Sequence, residues 1–297
     1  MVCMKGVNLM EIASLFQKKK VVFSLEIFPP KKTSSIDTIY KTLDDLKELQ
    51  PDFISVTYGA GGNAADNSTC DIASTILNTY GIVPLAHLTC VNNTKEEIGL
   101  ILDRLKENGV KNILALRGDI NPDIPAKKEF SYASELVQYI KNRGEFYISG
   151  ACYPEGHVEA ENIEKDIENL KIKVDAGVGH LISQLFFDND LFYNFLEKVR
   201  KAGVKVPIQA GIMPVINKAQ IERMVTLCGA SLPSKFTKMM QRFEHSPEAI
   251  REAGIAYAVD QIVDLISQGV DGIHLYTMNN PYVARRISES IKGIINA

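Results

Sequence analysis

The stretch VVFSLEIFPPKKTSSIDTIYKTLDDLKEL, residues 21–49, holds a short apolar run and then a segment with helical spacing. Residues 21–26 are rich in β-branched and aromatic side chains, as β-strands are. Ile39, Leu43 and Leu46 then recur at the three- and four-residue intervals that build one face of a helix. This stretch therefore predicts a strand followed by a helix, the repeating unit of parallel α/β folds.

The same unit recurs along the chain. Seven further apolar runs are predicted as strands: residues 53–57, 82–88, 112–117, 145–151, 180–187, 204–210 and 271–277. Helix signals lie between them, as where Asn93 and Thr94 precede the helical run Ile98–Leu105 and Gly109 follows it. Eight strand–helix units predict an α/β protein of the (β/α)8 TIM-barrel class, with an open parallel sheet as the alternative.

Domain organisation is predicted to be simple. No Gly/Ser/Pro-rich linker and no low-complexity tract divides the chain, so residues 1–297 are expected to form a single (β/α)8 barrel catalytic domain. Residues 230–270 are longer than one barrel unit needs. We therefore expect an insertion there, followed by a long helix over Ala249–Ser267.

Composition narrows the possible partners and compartment. The 297 residues are 45% hydrophobic and 23% charged, which is typical of a globular protein, and the formal net charge of -3 gives no positive field for nucleic acid or an anionic membrane. The five cysteines are odd in number and widely spaced, which argues against a disulfide framework or structural zinc. Without a signal-peptide pattern or a membrane-length apolar run, a cytoplasmic protein is expected.

Glu26 is the first candidate catalytic residue. In a barrel enzyme the chemistry lies at the C-terminal ends of the strands, and the period of two places Ser24 and Glu26 on one strand face, expected to point into the lumen. Burial disfavours an ionised carboxylate, so the pKa of Glu26 is expected to be raised, as a general acid requires. The alternative is a structural ion pair with Lys31, Lys32 or Arg117.

Other polar side chains follow later strands. Arg117 and Asp119 lie on one strand face and form either a salt bridge or a ligand site in which Arg117 holds a phosphate or a carbonyl. Gln184 beside two phenylalanines suits a flat heterocycle, although such aromatics also suit a core. No cluster has metal-ligand spacing, and the isolated histidines are interpreted as structural or surface residues: His180, His245 and His274.

Six strings occur in order at the predicted strand ends: FSLEIFPP (23–30), VTYGA (56–60), AHLTC (86–90), LRGD (116–119), YPEGH (153–157) and QLFFD (184–188). Together they resemble the methylenetetrahydrofolate reductase family. The resemblance implies a (β/α)8 barrel that binds FAD rather than FMN. It also implies hydride transfer from NADH or NADPH through the flavin to 5,10-methylenetetrahydrofolate, which gives 5-methyltetrahydrofolate in a ping-pong cycle.

The resemblance also implies roles for single residues. Glu26 falls on the family's general acid, which protonates nitrogen 10 of the folate, and Asp119 on an acidic residue close to flavin and folate. Gln184 falls on the pterin-binding amide, and Gln220 on a position shared by folate and nicotinamide. The cofactor positions are Thr57, His87, Arg117, Gly118, Asp119, Tyr132, Ala151, Tyr153, His157, Asp166 and Lys173.

Three departures from the family pattern concern the electron donor. Met224 stands where a Phe is expected, Asn280 where an Arg is expected, and the loop 63–67 lacks its usual Arg. Two hypotheses therefore stay open, direct use of NADH or NADPH and delivery of electrons by a partner subunit. A flavin-free barrel lyase or aldolase, a folate-binding module without redox chemistry, and a homo-oligomeric assembly also stay open.

Overall fold

A computed structural model describes residues 12–30, 35–58, 68–120, 127–144 and 146–297. Its strands are β1 Val22–Ile27, β2 Phe53–Val56, β3 Val83–Thr89, β4 Asn112–Leu116, β5 Tyr147–Cys152, β6 His180–Ser183, β7 Ile208–Ile212 and β8 Gly272–Tyr276. Each pairs in parallel with the next, and β1 also pairs with β8, with Ser24 opposite His274. The sheet is closed, so the predicted (β/α)8 barrel is confirmed and the open sheet is excluded.

Helices alternate with the strands. They are α1 Ile12–Lys18, α2 Asp37–Lys47, α3 Ser68–Asn78, α4 Lys95–Glu107, α5 Ala133–Arg143, α6 Ile163–Asp175, α7 Asn189–Lys201, α8 Lys218–Cys228, α9 Ser234–Phe243, α10 Pro247–Ser267 and α11 Pro281–Ile295. The predicted start of α4 is confirmed by a capping box, in which Thr94 accepts from the backbone of Glu97 and the Glu97 side chain accepts from Thr94. None of the helices described is long and apolar enough to cross a bilayer.

The region 230–270 contains an additional helix, as expected. Here α9 is the insertion, and α10 begins at Pro247, two residues before the predicted start, because Ser246 caps it. Phe236 of α9 stacks on Phe187 with ring centroids 4.7 Å apart. The insertion therefore packs over the segment that follows β6.

Two predicted strands were too long or displaced. β6 ends at Ser183, whereas the apolar run continued to residue 187, and β7 begins at Ile208, four residues after the predicted start. Phe186 and Val204 are buried without belonging to a strand. An apolar run indicates that its residues are buried. Buried residues continue past the last residue that hydrogen-bonds to a neighbouring strand, so the run overstates the length of the strand.

The barrel lumen has an apolar lower end and a polar interior. Ile12 and Leu15 of α1 pack with Phe53 and Ile182 at the N-terminal end of the strands, so α1 closes that end. Above this layer the lumen holds hydrogen-bonding side chains from β1, β2, β3, β5, β6, β7 and β8: Ser24, Glu26, Ser55, His87, Ser149, His180, Gln209 and His274. Barrel interiors are usually filled by branched apolar side chains, so this polar content identifies the lumen as a candidate site.

Candidate functional site

Glu26 lies at the C-terminal end of β1 and points into the lumen, as predicted. Its side chain is 16% exposed. Its Oε2 accepts from Ser55 Oγ at 3.2 Å and lies 3.2 Å from His274 Nε2 and 3.4 Å from His87 Nε2. We call these four residues, Glu26, Ser55, His87 and His274, the acid pocket.

The predicted rise in the pKa of Glu26 is wrong. Burial does raise the pKa of this carboxyl, but the hydrogen bond from His274, the nearby His87 and the Ser55 hydroxyl together lower it below its usual value. Burial lowers the pKa of His87 to about 4, although Glu26 opposes that effect. The groups around Glu26 therefore favour its ionised form in the ligand-free protein.

The ion pairs considered for Glu26 do not form among the described residues. Lys31 and Lys32 lie outside the described ranges, and Arg117 binds Glu159 instead. The groups around Glu26 are one hydroxyl and two imidazole rings. The structural alternative of a lysine or arginine ion pair is therefore not supported for Arg117.

His274 is a site residue that the sequence interpretation missed. It was taken as structural or surface, yet it is fully buried and contacts Glu26. A usable signal existed, because a barrel requires β8 to pair with β1, and that pairing places His274 beside Ser24. His180 is structural in the lower lumen, where burial lowers its pKa to about 3, and His245 is exposed, as expected.

A second region lies between the ends of β4 and β5 and the helix α6. This cleft of about 390 Å³ brings together seven of the predicted cofactor positions. We call it the ligand cleft; those positions are Arg117, Tyr132, Ala151, Tyr153, His157, Asp166 and Lys173. Residues separated in sequence thus meet at the end of the barrel where the prediction placed them.

Arg117 has a different ionic partner from the one considered. Its two terminal nitrogens bind the carboxylate of Glu159 at 2.5 and 2.9 Å, whereas Asp119 is exposed. Glu159 raises the pKa of Arg117, and Arg117 lowers the pKa of Glu159. No sequence signal pointed to Glu159, which pairs with the Arg117 guanidinium at the edge of the ligand cleft.

Gly118 follows Arg117 with φ +86, a conformation that favours glycine. A Cβ at this position would lie 2.9 Å from Thr89 Cβ. The chain after β4 therefore passes closely over the end of β3. Only a glycine allows this approach without displacing Thr89.

The deeper wall of the ligand cleft contains a half-buried cation and a buried acid. Lys173 Nζ donates to the Ala151 carbonyl at 2.7 Å, and burial lowers the pKa of this lysine. Burial also raises the pKa of Asp166, an effect that Lys173 opposes. Tyr153 and His157 pack edge to face, with ring centroids 4.7 Å apart. Cation, acid and aromatic rings together suit a phosphorylated, ring-containing ligand.

The remaining predicted positions make local contacts. The backbone of Thr57 bonds to Ile27, and Gln184 Oε1 accepts from Leu185 N at 2.9 Å. Gln220 Oε1 accepts from Ile216 N at 3.2 Å, while its buried Nε2 meets no acceptor within the described ranges. No hydrogen bond in those ranges joins either glutamine to Glu26.

Two of the three departures from the family pattern can be placed. Asn280 caps α11 by accepting from the backbone of Val283, and Met224 is half-buried among the side chains around α8 and α9. The loop 63–67 lies outside the described residues. Where the resemblance predicts an arginine, the structure thus has a neutral helix cap at Asn280.

Comparisons with known proteins identify the family and agree with the fold. A family model described as methylenetetrahydrofolate reductase matches residues 11–292. The 5,10-methylenetetrahydrofolate reductase of Pectobacterium carotovorum subsp. carotovorum is 35% identical over 272 residues, which cover 92% of this chain and 90% of that protein.

Two further matches differ in length or in sequence distance. Methylenetetrahydrofolate reductase 1 of Schizosaccharomyces pombe is 36% identical over 280 residues, covering 92% of this chain but 46% of the yeast protein, so the chain spans about half of that relative. A solved structure of an uncharacterized Clostridium thermocellum protein, described as binding two copies of 5-methyl-5,6,7,8-tetrahydrofolic acid, has a TM-score of 0.68 and 15% identity. It covers 95% of this chain and 98% of that protein. That likeness shows the fold alone.

Proposed function

The chain belongs to the methylenetetrahydrofolate reductase family, and on that premise we propose that it reduces 5,10-methylenetetrahydrofolate to 5-methyltetrahydrofolate. The observation that carries the proposal is the position of Glu26, a carboxyl at the lumen end of β1 with hydrogen bonds from Ser55 and His274 on one oxygen and the His87 ring 3.4 Å away. The Clostridium thermocellum protein of the same fold, described as binding the methylated product, is consistent with this substrate class.

Glu26 acts as the general acid in this proposal, and because its surroundings favour the carboxylate, it takes up a proton from solvent before each transfer. A proton passes from its carboxyl to nitrogen 10, the bond between that nitrogen and the bridging carbon breaks, and nitrogen 5 becomes part of a cationic iminium. Hydride addition to the bridging carbon then produces the methyl group. Donors around Oε2 stabilise the carboxylate that remains after proton transfer.

The ligand cleft is the proposed site for FAD. Lys173 and Arg117 would bind the diphosphate, Asp166 a ribose hydroxyl, and Tyr153 with His157 would line the ring-binding wall. The proposal that FAD fits this cleft rests on Lys173. Its ammonium group has three hydrogens, and one donates to the Ala151 carbonyl at 2.7 Å, so the others can donate to a bound phosphate. Bound FAD would take hydride from NADH or NADPH and deliver it to the folate.

Three polar groups would orient the substrate. The exposed carboxylate of Asp119 would favour the cationic iminium. Gln220 presents an Nε2 that lacks an acceptor in the described part of the chain, and Gln184 carries a second amide for the pterin ring. We propose both as folate contacts, with Gln220 also available to nicotinamide.

An electron-donating partner subunit is the alternative source of electrons. It is motivated by the loop 63–67, whose sequence lacks the arginine of the family pattern. Cytoplasmic location and homo-oligomeric assembly stay predictions from the sequence.

One anaerobic titration tests the proposal. Purified protein should carry flavin absorbance that bleaches on addition of NADH or NADPH and returns on addition of 5,10-methylenetetrahydrofolate. Protein that binds no flavin, or reduced protein that the folate does not reoxidise, would contradict the reductase. If chemically reduced protein is reoxidised by folate although neither nicotinamide bleaches it, the partner-subunit alternative is favoured.

A further inference from the structure

The two oxygens of Glu26 have unequal surroundings. Ser55, His274 and His87 all approach Oε2, at 3.2, 3.2 and 3.4 Å. No hydrogen bond to Oε1 is present among the residues described. One oxygen of the carboxyl is thus held by donors while the other is left for another partner.

The side chain of Gln209, below Glu26 in the lumen, has a defined orientation. Its Nε2 lies 3.1 Å from the Val22 carbonyl and 3.2 Å from the Ile273 carbonyl, and since carbonyls only accept, the amide nitrogen must face them. Gln209 Oε1 therefore faces His180 Nε2, 2.9 Å away, and His180 is the donor. Ser149 Oγ, 3.0 Å from His180 Nδ1, then donates to that ring.

Ser24 links this layer to the acid pocket. Its Oγ accepts from Gln209 Nε2 at 3.1 Å. The hydroxyl hydrogen of Ser24 can reach two acceptors, His274 Nδ1 at 2.7 Å and the Ile273 carbonyl at 3.5 Å. The shorter contact, to His274, is strongly preferred. Because Nδ1 then accepts, the ring hydrogen of His274 is on Nε2, which lies 3.2 Å from Glu26 Oε2 and 3.4 Å from Ser55 Oγ. Ser55 itself donates to that carboxylate oxygen, so Glu26 Oε2 is the nearer acceptor for the Nε2 hydrogen.

We propose that His274, with the Ser24 hydroxyl behind it, is a positioning residue that keeps Glu26 Oε2 as an acceptor, so that Oε1 carries the proton delivered to substrate. This inference rests on the proposed function. In the transfer the Oε1–H bond breaks, a bond from nitrogen 10 to hydrogen forms, and the electron pair stays on the carboxylate, where the Nε2–H of His274 stabilises it. The next proton comes from solvent at the open end of the barrel.

The other titratable groups facing Glu26 do not replace His274. On β3, His87 has a pKa of about 4 because of burial, so it is neutral at the working pH. On β8, burial raises the pKa of Tyr276 well above its usual value, and its hydroxyl donates to the Ser183 carbonyl at 2.7 Å. β2 contributes only the Ser55 hydroxyl, and no lysine or arginine in the described ranges forms an ion pair with Glu26.

Imidazole nitrogen NMR tests the direction of the hydrogen bonds. In protein labelled with 15N-histidine, the ring of His274 should show a protonated Nε2 and an unprotonated Nδ1 at neutral pH. His180 should show the same form and serves as an internal reference. A His274 ring with its hydrogen on Nδ1 would overturn the proposal.

Two serine variants test the consequence for Glu26. Ser24 and Ser149 are both buried hydroxyls bonded to Nδ1 of a lumen histidine, but only the histidine beside Ser24 contacts Glu26. Ser149 does not control Ser24, because the two carbonyls already orient Gln209. Ser149→Ala is therefore a matched control for the folding cost of losing a buried hydroxyl.

Ser24→Ala should raise the apparent pKa in the pH profile of the folate half-reaction by roughly one unit, the size expected for one weakened hydrogen bond. Flavin reduction by the donor should not change. Ser149→Ala should keep the wild-type profile. Coincident profiles for Ser24→Ala and the wild type would overturn the proposal, as would equal shifts in both variants.

A separate readout distinguishes this inference from the proposed function. The carboxyl 13C signal of Glu26, assigned by its loss in Glu26→Gln, should titrate at higher pH in Ser24→Ala than in the wild type or Ser149→Ala. If the wild type does not reduce the folate, the proposed function fails while this titration still decides the role of His274. An unshifted carboxyl titration in Ser24→Ala would refute that role directly.

Discussion

The acid pocket and the ligand cleft are built differently. In the acid pocket, Glu26 is nearly buried and its donors are neutral side chains on neighbouring strands of the closed sheet. In the ligand cleft, Arg117 and Glu159 pair near the surface, and Glu159 is carried by the segment after β5. The barrel thus fixes the acid pocket directly, whereas the cleft depends on groups outside the strands.

This difference predicts how each region responds to change. A buried carboxylate that loses its donors keeps the full cost of burial, because water cannot replace them. A half-exposed ion pair is screened by solvent and contributes little. Substitutions in the acid pocket should therefore have larger effects than substitutions of surface charges in the cleft.

The largest effect is expected for Glu26→Gln, which keeps the shape of the acid pocket but removes the proton. Reoxidation of reduced flavin by 5,10-methylenetetrahydrofolate should slow by about 10²–10⁴-fold, the usual contribution of a general acid. Flavin content and reduction by the donor should be unchanged. Rapid-mixing absorbance of the two half-reactions measures both, and a normal folate half-reaction would contradict the acid role.

In the ligand cleft, Lys173→Met should weaken FAD binding by roughly 10- to 100-fold, because it removes one charge-assisted hydrogen bond. Flavin fluorescence on titration of apoprotein gives the affinity. Lys171→Met is the control, since Lys171 lies on the same helix but pairs with Asp175 at the surface. Equal affinities for the two variants would remove the cleft from the proposed flavin site.

A smaller effect concerns acid stability, which should depend on the lumen. Burial depresses the folded pKa of His87 to about 4 and of His180 to about 3, from an ordinary value of 6.5. The unfolded chain therefore takes up these protons first, and stability that is present above pH 6.5 is lost as the pH falls toward the folded values.

The free energy of unfolding should fall by about 1 kcal/mol per histidine between about pH 7 and about pH 5.5. Urea unfolding at several pH values measures this slope. His180→Gln should flatten it, while His245→Gln, at an exposed position, should leave it unchanged. Parallel curves for His180→Gln and the wild type would show that His180 does not contribute.

The smallest effect is expected for Glu159→Gln. Removing the carboxylate frees Arg117 for the phosphates, so FAD and pyrophosphate should bind up to about fivefold more tightly, in keeping with a surface ion pair. Glu161→Gln removes the same charge two residues away from an exposed position and should change little. Weaker flavin binding in Glu159→Gln would mean that Glu159 supports the ligand rather than competing with it.

The repeated strand–helix pattern predicted the (β/α)8 class and left an open parallel sheet as the alternative, which the pairing of β1 with β8 excludes. Alternation along 21–26 also placed Glu26 in the lumen, because a strand's side chains point to opposite faces in turn. The strings at the strand ends predicted the family and, through the resemblance, the cofactor positions, of which the folded chain brings seven into one cleft. Local periodicity carries this information because the direction in which successive side chains point, and therefore their burial, repeats with the period of the strand or helix.

Only the tertiary structure decided which groups meet across the barrel. The contact between Glu26 and His274 joins the first and last strands, and the pair of Arg117 with Glu159 joins two different strand–helix units. The contact of Glu26 with His274, together with His87 and Ser55, reversed the expected direction of the Glu26 pKa and gave a role to a histidine that the sequence interpretation treats as structural or surface. A pKa depends on the groups within a few ångströms in space, and closure of the sheet sets those distances.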